Sequence, residues 1–392
     1  MKNPKFGPII LAIVLAVILL FLPNNKLSNL VTKKTVSQTE ASLNPTIFQG
    51  VAIQKKMMQD KNILPIYGSS ELSRFDEFHP SVYFKSQNSQ YTPYLIGRGG
   101  TQSLIHFLSL ASVQPYLKDK KFVFILSPTW FKGEGLDEGR FDPNFSKLQA
   151  IEFALNQHIP IDLKRRAVRR LMDYSMVKND SMLSTILNES INTTSSPTVK
   201  QKLLDDLVAS YLSIAKKQDV LTSLIHPNFH SINSIKPLPK GISFDDMLKR
   251  ADEEGKATSN NNRFGMKNSV YSFHFANHLQ ELKNSKADIS YGKSPEYGDL
   301  QLVLDLLKSS GAKPLFISLP VNGYFYDYTG FDKAKREVYY NKVRNQIEKN
   351  GFEVADLSGH EYDKYFFEDS IHIRLKGWIY IDQAIEKYMN EK

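Results

Sequence analysis

The stretch NILPIYGSSELSR, Asn62 to Arg74, decides how this chain is read. Its mostly apolar run Ile63–Tyr67 ends in Gly68-Ser69-Ser70-Glu71 and leads into a helical pattern. An apolar run of that length, closed by a glycine, is the pattern of a strand buried in a parallel sheet. In open α/β sheets, ligands sit outside the carboxyl ends of such strands. A turn of small residues there holds a hydroxyl beside the backbone N–H groups that begin the helix, and such N–H groups can stabilise an oxyanion. Gly-Ser-Ser is also ordinary turn chemistry. The weight given to Ser70 therefore depends on what the rest of the chain supplies.

Outward from this stretch, strands and helices alternate. Tyr94–Gly97 reads as a second strand entering the Arg98-Gly99-Gly100 turn, Ser103–Leu117 as a helix, and Phe122–Leu126 as a buried strand ending in Ser127-Pro128-Thr129-Trp130-Phe131. From about 147 to 285 the periodicity is helical, which reads as an insertion between two α/β halves. The sheet pattern resumes with a helix over Tyr297–Ser309, the strand Lys313–Leu319, a helix over Ala334–Asn350 and the strand Phe352–Leu357. The chain closes with Asp369-Ser370-Ile371-His372 entering an amphipathic helix. The βαβα order implies a mostly parallel sheet with helices on both faces.

The N-terminus carries a different signal. Lys2 and Lys5 precede an apolar run from Phe6 to Leu22, interrupted by Gly7 and Pro8. No small-residue cleavage pattern follows, so residues 1–23 read as an uncleaved single-pass anchor with the remainder on the outer face. Residues 24–50 are polar and read as a linker, with the extracytoplasmic domain over 51–392. The chain has 392 residues, 41% hydrophobic, enough for a substantial core. It has no cysteine, which excludes a thiol nucleophile, thiolate metal sites and disulfides. The formal charge of +9 suits solubility or attraction to a polyanion near the membrane, and no nucleic-acid-binding motif is present.

Nucleophilic catalysis by serine needs a hydroxyl at a turn, a base within reach and a carboxylate orienting that base. Ser70 supplies the hydroxyl. His372, with Asp369 three residues earlier in a loop, supplies the most suggestive base and partner. Taken singly, Asp369 reads as a helix cap and His372 as a half-buried histidine. His226/His230 and His274/His278 have a spacing that a helical metal site could use, but no adjacent HEXXH glutamate accompanies them. No metal or cofactor is expected. Arg165, Arg166, Arg169 and Arg170 read as a solvated helix face. Tyr324–Tyr328 reads as a packed loop.

An early GxS and a late DxxH together resemble the SGNH, or GDSL-like, hydrolases. The series Gly68-Ser69-Ser70-Glu71-Leu72, Arg98-Gly99-Gly100, Ser127-Pro128-x-Trp130-Phe131 and Asp369-x-x-His372…Lys376-Gly377-Trp378 is similar to that of the DltD family. Those are membrane-anchored proteins of the D-alanyl-lipoteichoic acid pathway of Gram-positive bacteria. The resemblance implies a three-layer α/β fold of SGNH type behind a transmembrane helix. It implies an extracytoplasmic acyltransferase with Ser70 as nucleophile, His372 as general acid/base and Asp369 as its partner. It also implies an oxyanion hole from the Ser70 and Gly99 or Gly100 N–H groups. SGNH proteins typically carry an Asn in the third block as an oxyanion donor, where the corresponding loop of this chain is Ser127-Pro128-Thr129-Trp130. Thr129, Trp130 and Trp378 are then candidates for lining the site, the tryptophans having core packing as the alternative. The implied partners are lipoteichoic acid, a D-alanyl carrier protein, a membrane acyltransferase of the same pathway, and the membrane itself. Two other readings use the same resemblance: a D-alanyl thioesterase or esterase with the same triad, and a non-catalytic scaffold for the D-alanylation machinery.

Overall fold

The computed structural model describes residues 7–391 apart from 9, 13, 15–20, 193–198 and 226–231. Five parallel strands form one sheet: β1 Ile63–Tyr67, β2 Thr92–Ile96, β3 Lys121–Leu126, β4 Lys313–Ser318 and β5 Glu353–Asp356, in the order β2-β1-β3-β4-β5. The chain order reverses between β1 and β3, so the crevice outside their carboxyl ends is the topological switch point. β1 pairs with β2 along its whole length but with β3 only at Ile66 and Tyr67. The pairing with β3 thus begins just after Pro65, which has no N–H to donate.

Strand alternation sorts the core into two layers. Tyr67, Phe122, Phe124, Leu126 and Phe316 point to one face. There they meet α1 Ser103–Ser112, α2 Lys147–Leu155, α3 Glu296–Ser310 and α4 Lys333–Lys349. Leu64, Ile66, Val123, Ile125, Leu315 and Ile317 point to the other. They meet α5 Pro80–Ser86, α6 Phe244–Thr258 and α7 Lys376–Asn390. This is the three-layer α/β arrangement expected, because period-2 side chains on a parallel sheet are apolar on both faces. Every described element between β3 and β4 is helical.

Residues 24–50 are not an open linker. They form three short helices, Asn24–Ser28, Lys33–Thr39 and Pro45–Phe48, that put Leu27, Val31, Val36, Ile47 and Phe48 into the first core layer. Their polar composition concealed well-spaced apolar residues. Thr39 Oγ1 also meets the Tyr94 hydroxyl at 2.9 Å, tying this segment to β2. The anchor expected over residues 1–23 falls largely outside the described residues, and among those described no helix is long and apolar enough to cross a membrane.

The arginine face is also more engaged than expected. Arg170 makes a forked contact with buried Asp299 at 2.9 and 3.0 Å, and Arg166 reaches Asp305 at 2.5 Å. Tyr324–Tyr328 lies in a helix, Gly323–Tyr328, with Phe325 and Tyr326 buried. His274 and His278 belong to different elements, a helix end and a 3-10 turn. The His226/His230 pair lies outside the described residues.

Candidate active site

β1 delivers Ser70 to the start of a tight 3-10 turn, Ser70–Ser73. Gly68 is required by a close approach: a Cβ there would lie 2.4 Å from Glu71 Oε1. That carboxyl folds back beneath the turn, accepting the Ser69 N–H at 2.5 Å. Burial raises the Glu71 pKa, against the pull of that N–H and of the His372 and Arg74 charges. The Ser69 hydroxyl donates to Arg98 O at 3.2 Å, tethering the turn after β1 to the turn after β2. Gly97 makes this packing possible. Its φ is +128°, and a Cβ would lie 2.0 Å from Gly68 O.

The glycine turn after β2 is closed by Thr101 N–H to Arg98 O at 3.0 Å, with Gly100 at φ +87°. Gly99 looks directly at the serine: a Cβ built on it would be 3.7 Å from Ser70 Cβ. Gly100 instead faces Arg140 and Asn144. Just beyond, the first N–H of α1 (Ser103) donates to Glu296 Oε1 at 2.9 Å, so a buried carboxylate of α3 caps the helix that follows the turn. Burial, then the Asp299 charge, pushes the Glu296 pKa well up.

The third part of the site comes from the far end of the chain. Glu368 N–H donates to His372 O at 2.7 Å, folding 368–372 into a narrow loop before α7. Asp369 Oδ1 accepts the N–H groups of Ile371 at 2.8 Å and His372 at 2.7 Å. Its Oδ2 lies 2.6 Å from His372 Nδ1, and His372 Nε2 lies 2.8 Å from Ser70 Oγ. Burial alone would raise the Asp369 pKa. The His372 hydrogen bond and charge, with the two backbone N–H groups, outweigh it and hold the carboxyl below its usual range. An ionised carboxylate accepting from Nδ1–H fixes the tautomer in which Nε2 accepts the serine proton. The two side chains are 15% and 16% exposed, shielded yet open to a substrate.

The chain matches the family model described as DltD protein over residues 40–390. It is 44% identical to the protein DltD of Bacillus subtilis (strain 168) over 99% of this chain and 98% of that one. The chain belongs to the DltD family. Two further relatives bear the same name. The Staphylococcus aureus (strain NCTC 8325 / PS 47) protein is 32% identical over 99% of this chain and 97% of its own. The Lacticaseibacillus rhamnosus protein is 33% identical over 98% and 90%.

Not every expected residue of this DltD-family chain lines the serine. Trp378 is fully buried, and its indole N–H donates to Arg74 O at 2.8 Å. It pins the end of the Ser70–Ser73 turn from the core side and does not wall a substrate. Trp130 is 3% exposed and packs on His106 and Phe124 beneath the site. Thr129 is half-buried at the end of β3, its hydroxyl 3.0 Å from that of Ser127. Sequence reasoning passed over three participants. Arg74 pairs with Glu368 at 3.4 Å beside the imidazole. Buried His106 has Nε2 3.0 Å from Gly68 O. Asn322 donates to Asp369 O at 3.4 Å and to Phe264 O at 2.9 Å. Glu71 and Arg74 sit inside the deciding stretch itself, but their roles depend on which partners the fold brings near.

Proposed function

We propose that the protein is an extracytoplasmic serine acyltransferase that passes D-alanyl groups to lipoteichoic acid through a Ser70 ester. DltD-family membership carries the role in lipoteichoic acid D-alanylation. The observation that most supports the chemistry is the 2.8 Å approach of Ser70 Oγ to an imidazole already oriented by Asp369.

In this reading, Ser70 Oγ attacks the D-alanyl carbonyl carbon while His372 Nε2 takes the hydroxyl proton. Asp369 stabilises the imidazolium through Nδ1–H. The tetrahedral oxyanion is met by the N–H groups of Ser70 and Gly99, at the point where negative charge develops. Collapse expels the donor's leaving group, which takes the proton from His372, and leaves a D-alanyl ester on Ser70. A polyol hydroxyl of the polymer then repeats the sequence: its proton passes to His372, its oxygen attacks the ester, and Ser70 Oγ is released and reprotonated. A D-alanyl carrier protein and a membrane acyltransferase of the pathway are the proposed upstream partners. The N-terminal apolar run is the proposed anchor, holding the site at the outer membrane face.

The test is intact-mass analysis of the full chain in detergent after exposure to a small fluorophosphonate. One adduct mapped to Ser70, absent from Ser70→Ala and strongly slowed in His372→Ala, is expected. No adduct on folded protein would sink the acyl-enzyme reading. Offering an acyl-loaded protein lipoteichoic acid or water then separates transfer from hydrolysis by where the alanine goes.

A further inference from the structure

The rim beside the Ser70 site carries cations that have no carboxylate partner among the described residues. Lys132 leaves the turn that follows β3, and Lys286 sits on the loop held to Thr329 O by its own N–H at 2.7 Å. Lys286 Nζ stands 4.2 Å from the Tyr326 ring centroid and 5.8 Å from that of Phe325. Burial first, and the Lys132 charge second, hold its ammonium down to about 8. Two ammonium groups that repel each other, one of them seated on a buried aromatic floor, are an arrangement that an anion between them would relieve. Glu134, on the same turn as Lys132, acts on the Tyr291 hydroxyl.

This rim is continuous with the catalytic loop. Asn322, which caps the helix bearing Phe325 and Tyr326, receives its backbone contact from Ser370: its N–H donates to Ser370 O at 3.0 Å. The Asp369 charge reaches the Tyr326 hydroxyl. Asn322 Nδ2 also binds Phe264 O, and next to Phe264 a third cation without a carboxylate partner, Arg263, lies 4.6 Å from the Tyr328 ring centroid. Lys286 and Arg263 therefore stand on aromatic rings of a helix whose cap is bonded to the loop that carries Asp369.

We propose that Lys132 and Lys286 form a phosphate-binding subsite that holds one phosphodiester of a polyanionic acceptor beside Ser70. The two ammonium groups would each meet a non-bridging oxygen, and the aromatic floor would exclude water from one side and strengthen the contacts. A polymer with phosphates at regular spacing would thereby present the hydroxyl between two phosphates to the acyl-enzyme. The identity of that acceptor rests on the acyl-transfer reading; anion binding itself does not.

The experiment uses a short synthetic glycerol phosphodiester oligomer and the full chain in detergent. Lysines are acetylated briefly with an N-hydroxysuccinimide ester, with and without the oligomer, and the extent at each is read by mass spectrometry. Slower acetylation of Lys132 and Lys286 with the oligomer is expected, with Lys118 at the opposite end of the sheet unchanged. Equal acetylation in both conditions overturns the proposal. In binding titrations, the double variant Lys132→Gln/Lys286→Gln is expected to bind at least tenfold more weakly, a change of about 1.4 kcal/mol. Lys132→Arg/Lys286→Arg is expected to restore binding, and Lys118→Gln to leave it unchanged. Undiminished affinity in the double Gln variant also overturns it. Fluorophosphonate labelling of Ser70 is read in the same samples. Lost labelling with intact lysine protection would count against the acyl-enzyme and leave the subsite standing; intact labelling without protection would do the reverse.

Discussion

Asp369→Asn tests the electrostatic argument without removing atoms. In the parent, Oδ1 is occupied by two backbone N–H groups at 2.8 and 2.7 Å, and Oδ2 faces His372 Nδ1 at 2.6 Å. An asparagine keeps its oxygen on the two N–H groups, because turning the amide over would set N–H against N–H twice. Its NH₂ therefore faces Nδ1 and makes that nitrogen the acceptor. The imidazole proton moves to Nε2, which then donates to Ser70 Oγ and can no longer take its proton. In serine proteases, the same exchange lowers turnover by about 10⁴. At about 1.36 kcal/mol per tenfold change, that is roughly 5.5 kcal/mol of lost transition-state stabilisation. The rate of Ser70 fluorophosphonate adduct formation is the assay. A variant that labels within tenfold of the parent would refute the role given to Asp369. Stability gives a second readout with a definite sign. The folded carboxyl is held below its ordinary range, so its contribution is present above the unfolded value of about 3.9 and is lost as pH falls through the folded value. Asp369→Asn should thus destabilise near pH 6 and converge on the parent in strong acid.

Two more outcomes follow from the packing around the site. Gly97→Ala would set a methyl 2.0 Å from Gly68 O at φ +128°, and we expect a loss of roughly 2–5 kcal/mol in urea unfolding; Gly99→Ala, with its nearest contact at 3.7 Å, should cost under about 1 kcal/mol. Burial holds both His79 and His106 down to about 3, against single backbone hydrogen bonds that raise them. Depressed histidines contribute stability that is full above the unfolded value of about 6.5 and is lost as pH falls toward 3. Unfolding free energies from urea titrations should therefore fall between pH 7 and 5, by up to roughly 1.4 kcal/mol per unit for each histidine; a flat profile would contradict their neutral burial.

The sequence by itself determined where the strands lie, because short apolar runs bounded by turn residues are local patterns: Ile63–Tyr67, closed by Gly68, is β1 without adjustment, and Gly311 ends α3 in the left-handed region at φ +66°. It also singled out Ser70, Asp369 and His372, since Asp369 and His372 are close enough in sequence to share a loop. Long-range contact was decided only by the tertiary structure. Nothing local shows that Leu27, Val31 and Val36 pack into the core, so a polar composition read as a linker. Trp378 is a site residue or a core residue according to which way α7 faces the sheet, and the sheet takes its ring into the core. The 2.8 Å meeting of Ser70 with His372 spans residues 302 positions apart. Likewise the Lys132 charge reaches Lys286 only once the chain is folded. Hydrogen bonds and charge act over a few ångströms of space, whatever the separation along the chain, so the chain had to fold before these pairs existed.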